Sequence, residues 1–78
     1  MTTMESIYLK VAGKIRRARA RSKVSVGELA AKSGMSRSNL NMIELGQQRI
    51  SIHHLFEVAK ALKVPVRDLL PADSRPAS

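Results

Sequence analysis

Apolar residues recur along this chain at helical spacing, and no stretch shows the two-residue alternation of a half-buried strand. Ile7, Val11, Ile15 and Ala18 line up one stripe on a helix predicted over about residues 6–22. Gly13 is its weak point. Val26, Leu29 and Ala30 are the inward set of a second helix, over about 26–33. Ahead of it, Ser25-Val26-Gly27-Glu28 has the form of a capping box. The serine hydroxyl accepts from the Glu28 N–H, and the glutamate reaches back. Gly34 supplies the left-handed residue that ends this helix. Ile52, Leu55, Phe56, Ala59 and Leu62 make the strongest amphipathic pattern, on a helix that Ser51 caps. Pro65 permits a new start, Val66 to Leu70 reads as a last short turn of helix, and Pro71 stops it. The polar tail, 71–78, is expected to be disordered.

Between these helices lies SRSNLNMIELG, residues 36–46. Ser36 and Gly46 bracket a short helix over about 37–45. Ser38, Asn39 and Asn41 are mediocre helix formers, and Leu40 and Ile43 are the only clear apolar pair. On a wheel of about 100° per residue, Ser38, Met42 and Leu45 lie roughly opposite that pair. Asn41 is on the flank and Arg37 at the N-terminal tip. Met42 and Leu45 therefore stand where a solvated face is expected, and Gln47-Gln48-Arg49 follows as a polar loop.

The chain has 78 residues, which is room for one small domain. A domain of this size buries only about 60% of its unfolded surface, so a partner subunit would help it. There is no cysteine, hence no disulfide, no thiolate chemistry and no Cys-based zinc site. No apolar run approaches the ~20 residues of a membrane span. The start, MTTMESIYLK, lacks the basic segment and apolar core of a secretory signal. A cytoplasmic, nucleoid-associated location is the expectation.

Charge changes the picture most. The net charge is +8, from 14 Lys and Arg against 6 Asp and Glu. Half of the bases are Lys10, Lys14, Arg16, Arg17, Arg19, Arg21 and Lys23, with no acid among them. Such density points to a polyanion, most often nucleic acid. Tyr8 and Phe56 are the only aromatic residues, which disfavours stacking on single strands. The acids are scattered singly, with no nucleophile–base pair and no glycine-rich phosphate loop, so neither an enzyme nor a cofactor is expected. His53 and His54 point about 100° apart on a helix and read as surface histidines, not metal ligands.

The order of the motifs carries a resemblance. A basic helix precedes Ser-x-x-Glu-Leu-Ala and a glycine turn. Ser-Arg-Ser-x-Leu-x-x-Ile-Glu-x-Gly follows, then a helix ending Ala-Lys-Ala-Leu-x-Val. Over about residues 11–70 this resembles the Cro/C1-type, or XRE-family, helix-turn-helix transcriptional regulators. The resemblance implies a compact all-α, five-helix domain over residues 1–70. The second and third helices would form the helix-turn-helix, with the third in the DNA major groove. It implies double-stranded DNA as the partner, with two half-sites bound by a homodimer on a two-fold symmetric operator.

By position, Arg37, Ser38, Asn41 and Met42 are the implied base readers. Arginine pairs bidentately with guanine, asparagine reads adenine, serine reads either, and methionine offers apolar surface to a thymine methyl. Ser36 and Asn39, and Gln47, Gln48 and Arg49 in the loop, match positions near the DNA backbone. Ser25 and Val26 offer backbone N–H groups, and Arg17 and Arg19 add positive charge. Val26 is a departure, because the family often has glutamine there. The resemblance also implies an ion pair between Arg19 and Glu44 that fixes the third helix against the first. Val66, Leu69 and Leu70 are the expected dimer surface, with Tyr8 and Leu9 as further candidates. Leu45 has no assigned role beyond a dimer contact. Small members of the family include phage-type repressors, restriction–modification controllers and antitoxins. The competing reading is a protein-interaction module that keeps the fold and has lost DNA binding. A membrane-surface role is disfavoured, because the apolar stripe of the first helix is needed by the core. No small-molecule ligand is expected.

Overall fold

Three serines start three of the four helices, each by the same local chemistry. The structure, a computed structural model, describes residues 4–71. Helix α1 spans Met4–Ser22, α2 Val26–Lys32, α3 Arg37–Glu44 and α4 Ile52–Leu62, and a 3-10 turn covers Val66–Leu69. Ser25, Ser36 and Ser51 are extended at the N-caps of α2, α3 and α4, and their hydroxyls accept from the N–H of Glu28, Asn39 and His54. The described residues are all-helical or loop, as expected. The fifth element is a 3-10 turn rather than an α-helix, because only a few residues separate Pro65 from Pro71.

The helix ends follow from backbone chirality. After α2, Gly34 is left-handed at φ +71°, and the Met35 N–H donates to the Ala30 carbonyl. After α3, Gly46 is left-handed at φ +76°, and the Gln47 N–H donates to the Met42 carbonyl. Gly46 is required twice over, since a Cβ there would run into the side chain of Leu9. Helix α4 ends the same way but on a lysine, Lys63, at φ 59°. A left-handed L-residue costs roughly 1–2 kcal/mol, and a glycine gives back part of that gain as unfolded-chain entropy. Lys63→Gly is therefore expected to stabilise the domain by about 0.5–1 kcal/mol, read as a rise in Tm.

Val11, Ala12, Ile15 and Ala18 of α1 are buried, and the core is completed by Leu29, Ala30, Met35, Leu40, Ile43, Ile50 and the inner row of α4. That inner row is Leu55, Val58, Ala59 and Leu62. The expected pattern differs here. Ile52 is 75% exposed and Phe56 55% exposed, so neither faces the core. Val58, fully buried, flanks the row formed by Leu55, Ala59 and Leu62 on one side, and Phe56 is turned outward on the other.

The 3-10 turn packs on both α1 and α4. Leu69 fills that junction and is 0% exposed, so it belongs to the core and not to a dimer surface. Val66 also packs against the core, half-buried. Leu70, 38% exposed, is the one member of that expected surface left clearly open. Pro71 is buried, which moves it from the expected tail into the domain. The rest of that tail lies outside the described residues.

Candidate nucleic-acid interface

Helix α3 has two unlike sides. Leu40, Ile43 and Glu44 are buried, whereas Arg37, Ser38, Asn41 and Met42 are exposed. Two of the three poor helix formers, Ser38 and Asn41, are thus on the outer side, where packing asks nothing of them. Asn39 is half-buried with its Oδ1 enclosed and without a hydrogen-bond partner, which sets it apart from the four exposed side chains. Leu45, the C-cap residue, is exposed.

What fixes the tilt of α3 is a buried carboxylate. Glu44 is 3% exposed. Arg19 of α1 meets it with two parallel bonds, Nε to Oε2 at 2.8 Å and Nη2 to Oε1 at 3.0 Å. This fork geometry is directional as well as strong. Arg19 Nη1 also donates to the Val24 carbonyl at 3.1 Å, which ties down the chain between α1 and α2. Arg16 donates to the backbone carbonyl of Glu44, satisfying an orphan acceptor at the end of α3. The sequence pattern does not single out Arg16. Its signal is the spacing, since it precedes Arg19 by one helical turn on the same edge of α1.

Arg19 is thus bonded to both Glu44 and Val24, the place of a lock between α1 and α3. Arg17 is exposed and lies about 100° around α1 from Arg16, on the side turned away from α3. The structure does not bring Arg17 to the outer side of α3.

Other sequence-chosen residues do come together. Val26, Arg37, Ser38 and Asn41 line one cleft of about 450 Å³ between the start of α2 and the outer side of α3. Arg37 leans over α2, its Cδ 3.8 Å from where a Cβ on Gly27 would lie. At the other end of α3, Gly46, Gln47, Gln48 and Arg49 form a shallow pocket with Tyr8. The Arg49 guanidinium carbon stands 5.6 Å from the centre of the Tyr8 ring. This cation–π contact braces the loop on α1. Leu9 is exposed, but its side chain lies against Gly46.

Ser25 and Ser36 both cap. At Ser25 the box is complete, with the Ser25 N–H donating to Glu28 Oε1 and the Glu28 N–H to Ser25 Oγ, each at 3.1 Å. The Ser25 backbone N–H, then its hydroxyl, hold the Glu28 carboxyl below its ordinary pKa, and Lys32 adds to this. A lowered folded pKa means that the box contributes stability above the ordinary glutamate range and loses it as pH falls through the lowered value. Glu28→Gln is expected to flatten that acid limb in thermal melts taken across a pH series. His53 and His54 are tilted rings 5.4 Å apart, and His54 Nδ1 is 3.1 Å from Ser51 Oγ, so His54 belongs to the cap of α4.

Comparison with known proteins fits this geometry. The helix-turn-helix family model (HTH_3) matches residues 15–69. The chain belongs to this helix-turn-helix family. No curated protein sequence matches the chain. Among solved structures, this helix-turn-helix chain is similar to the restriction–modification controller protein C.AhdI from Aeromonas hydrophila. The two are 30% identical with a TM-score of 0.78, over 81% of this chain and 96% of that one. It is also similar to the clp gene regulator ClgR from C. glutamicum, at 31% identity and TM-score 0.76 over 80% of each chain. A third is SinR, a master regulator for biofilm formation, solved in complex with DNA. It is 35% identical with a TM-score of 0.71, over 76% of this chain and 95% of that one. Among the described residues, no helix is long and apolar enough to cross a membrane.

Proposed function

We infer that this chain is a DNA-binding transcriptional regulator, and we propose that it reads sequence in double-stranded DNA as a homodimer on a palindromic operator. One observation carries the reading. Helix α3 is clamped through Glu44 by Arg16 and Arg19, and its free side presents Arg37, Ser38, Asn41 and Met42. These four have hydrogen-bonding and apolar chemistry matched to base edges in the major groove. Arg49 with Gln47 and Gln48 at one end of α3, and Ser36 with Asn39 at the other, would hold the phosphates. The two copies of α3 would stand about 34 Å apart, one turn of DNA.

Selection of bound duplexes from random DNA tests this directly. The expected result is an enriched two-fold symmetric site whose affinity falls steeply with salt, as released counterions require. Retention that is flat with salt and without sequence preference would instead favour a protein-interaction module. Sedimentation at micromolar concentration, with and without DNA, checks the dimer; a monomer in both would refute it. Among the specialised roles, control of a restriction–modification system is one candidate, since C.AhdI is among the similar proteins, although SinR is matched over about as large a share of its own chain. Mapping the selected site beside a restriction and methylation gene pair would support that role.

A further inference from the structure

The cleft between α2 and α3 has a wall that base hydrogen bonding does not use. Val26 supplies it. This residue is half-buried, with one side packed on the core and the other on the cleft it shares with Arg37, Ser38 and Asn41. Gly27 next to it has no side chain, and the aliphatic stem of Arg37 lies over that gap. The arginine is therefore held beside Val26 before any ligand arrives. A valine side chain gains nothing from a phosphate, whereas it gains by covering an apolar group. In the major groove, the apolar group that a base pair offers is the 5-methyl of thymine. A methylated cytosine carries the same group at the same ring position.

We propose that Val26 is a specificity-determining residue, which with Arg37 reads a pyrimidine 5-methyl group next to a guanine. The guanidinium takes guanine O6 and N7, and the valine methyls cover the neighbouring 5-methyl. This rests on the DNA-binding role proposed above and adds to it a side chain that the common glutamine at this position would not supply.

The test is a uridine scan of a duplex site selected by the full chain. Each thymine is replaced in turn by deoxyuridine, which removes the methyl group alone. One thymine per half-site, next to the guanine, is expected to lose about fourfold in affinity, the value of one buried methyl-sized group. Cytosine at that position should bind as weakly as uridine, and 5-methylcytosine should recover the loss. Val26→Ala should erase both differences while leaving the salt dependence unchanged. Val26→Thr, close in shape, should retain part of them, and thermal melts check that both variants fold. A flat uridine scan on a specifically bound site overturns this proposal and leaves the DNA-binding role standing. So does a methyl effect that persists in Val26→Ala. Failure to retain any duplex would overturn both.

Discussion

Glu44→Ala is expected to destabilise the domain by about 2–4 kcal/mol and to weaken specific DNA binding with it. The carboxylate is the single acceptor shared by both prongs of Arg19, and it is buried among the helices it joins. Removing it leaves a guanidinium without its partner. Breaking a fully buried pair on one side costs about 3–5 kcal/mol. The Arg19 side chain is 23% exposed and recovers part of its hydration, which sets the lower range. For a domain of this size, each kcal/mol moves Tm by about 4–8 °C. The double replacement Arg19→Leu with Glu44→Leu should recover much of the stability, since no charge is then stranded. It should not recover binding, because apolar contact does not fix the tilt of α3 as the fork does. Thermal melts and affinities at one salt concentration separate the two effects. A Glu44→Ala variant with stability within about 0.5 kcal/mol of the parent would refute the lock, since that is the ordinary range for a surface change.

Local rules and global packing were not equally readable in this chain. The caps were legible residue by residue, because a serine cap and a left-handed glycine each depend on a few neighbouring atoms. Ser25, Ser36, Ser51, Gly34 and Gly46 all sit where their chemistry requires. The α4 row was harder. Five apolar residues at helical spacing do not say which of them the core selects, and Val58 displaces Phe56 only because of how α4 rolls against α1 and α2. Leu69 escaped for a related reason. An apolar residue beyond the last long helix looks like surplus until the 3-10 turn is seen to fold back onto α1. In the candidate site, the resemblance supplied the Arg19–Glu44 pair and the outer residues of α3. It did not supply Arg16, whose partner is a backbone carbonyl and leaves no trace in residue identity. The contact of Arg49 with Tyr8 joins residues far apart in the chain, so no local pattern announces it.

Those differences bear on where a second copy would sit in the proposed dimer. With Leu69 in the core and Val66 packed against it, the apolar surface left near the end of the domain is mainly Leu70. Ile52 and Phe56, one turn apart on α4, are more exposed than Leu70, as are Leu9 and Leu45. Single exposed apolar residues are ordinary on a small protein. The dimer proposed above is therefore not tied to the surface first expected for it.

The sharpest readout belongs to Arg37. Arg37→Ala is expected to weaken binding to the selected site by about 1–3 kcal/mol, or about 5- to 150-fold, if its guanidinium pairs with a guanine. The loss should be confined to one position of each half-site, where the variant ceases to discriminate among bases. Non-specific binding and the salt slope should change little, because a base contact releases few counterions. A phosphate contact behaves in the opposite way. It weakens binding to all sequences about equally and lowers the salt slope by about one. Arg37→Lys distinguishes the two again, since lysine keeps the charge but lacks the planar fork. On a guanine, lysine should restore little of the discrimination; on a phosphate, it should restore most of the affinity. The stem of Arg37 rests over Gly27, and the side chain opens into the same cleft as Val26, Ser38 and Asn41. That placement puts Arg37 beside the exposed side of α3 proposed to face the bases, and it is why the base contact is the outcome expected.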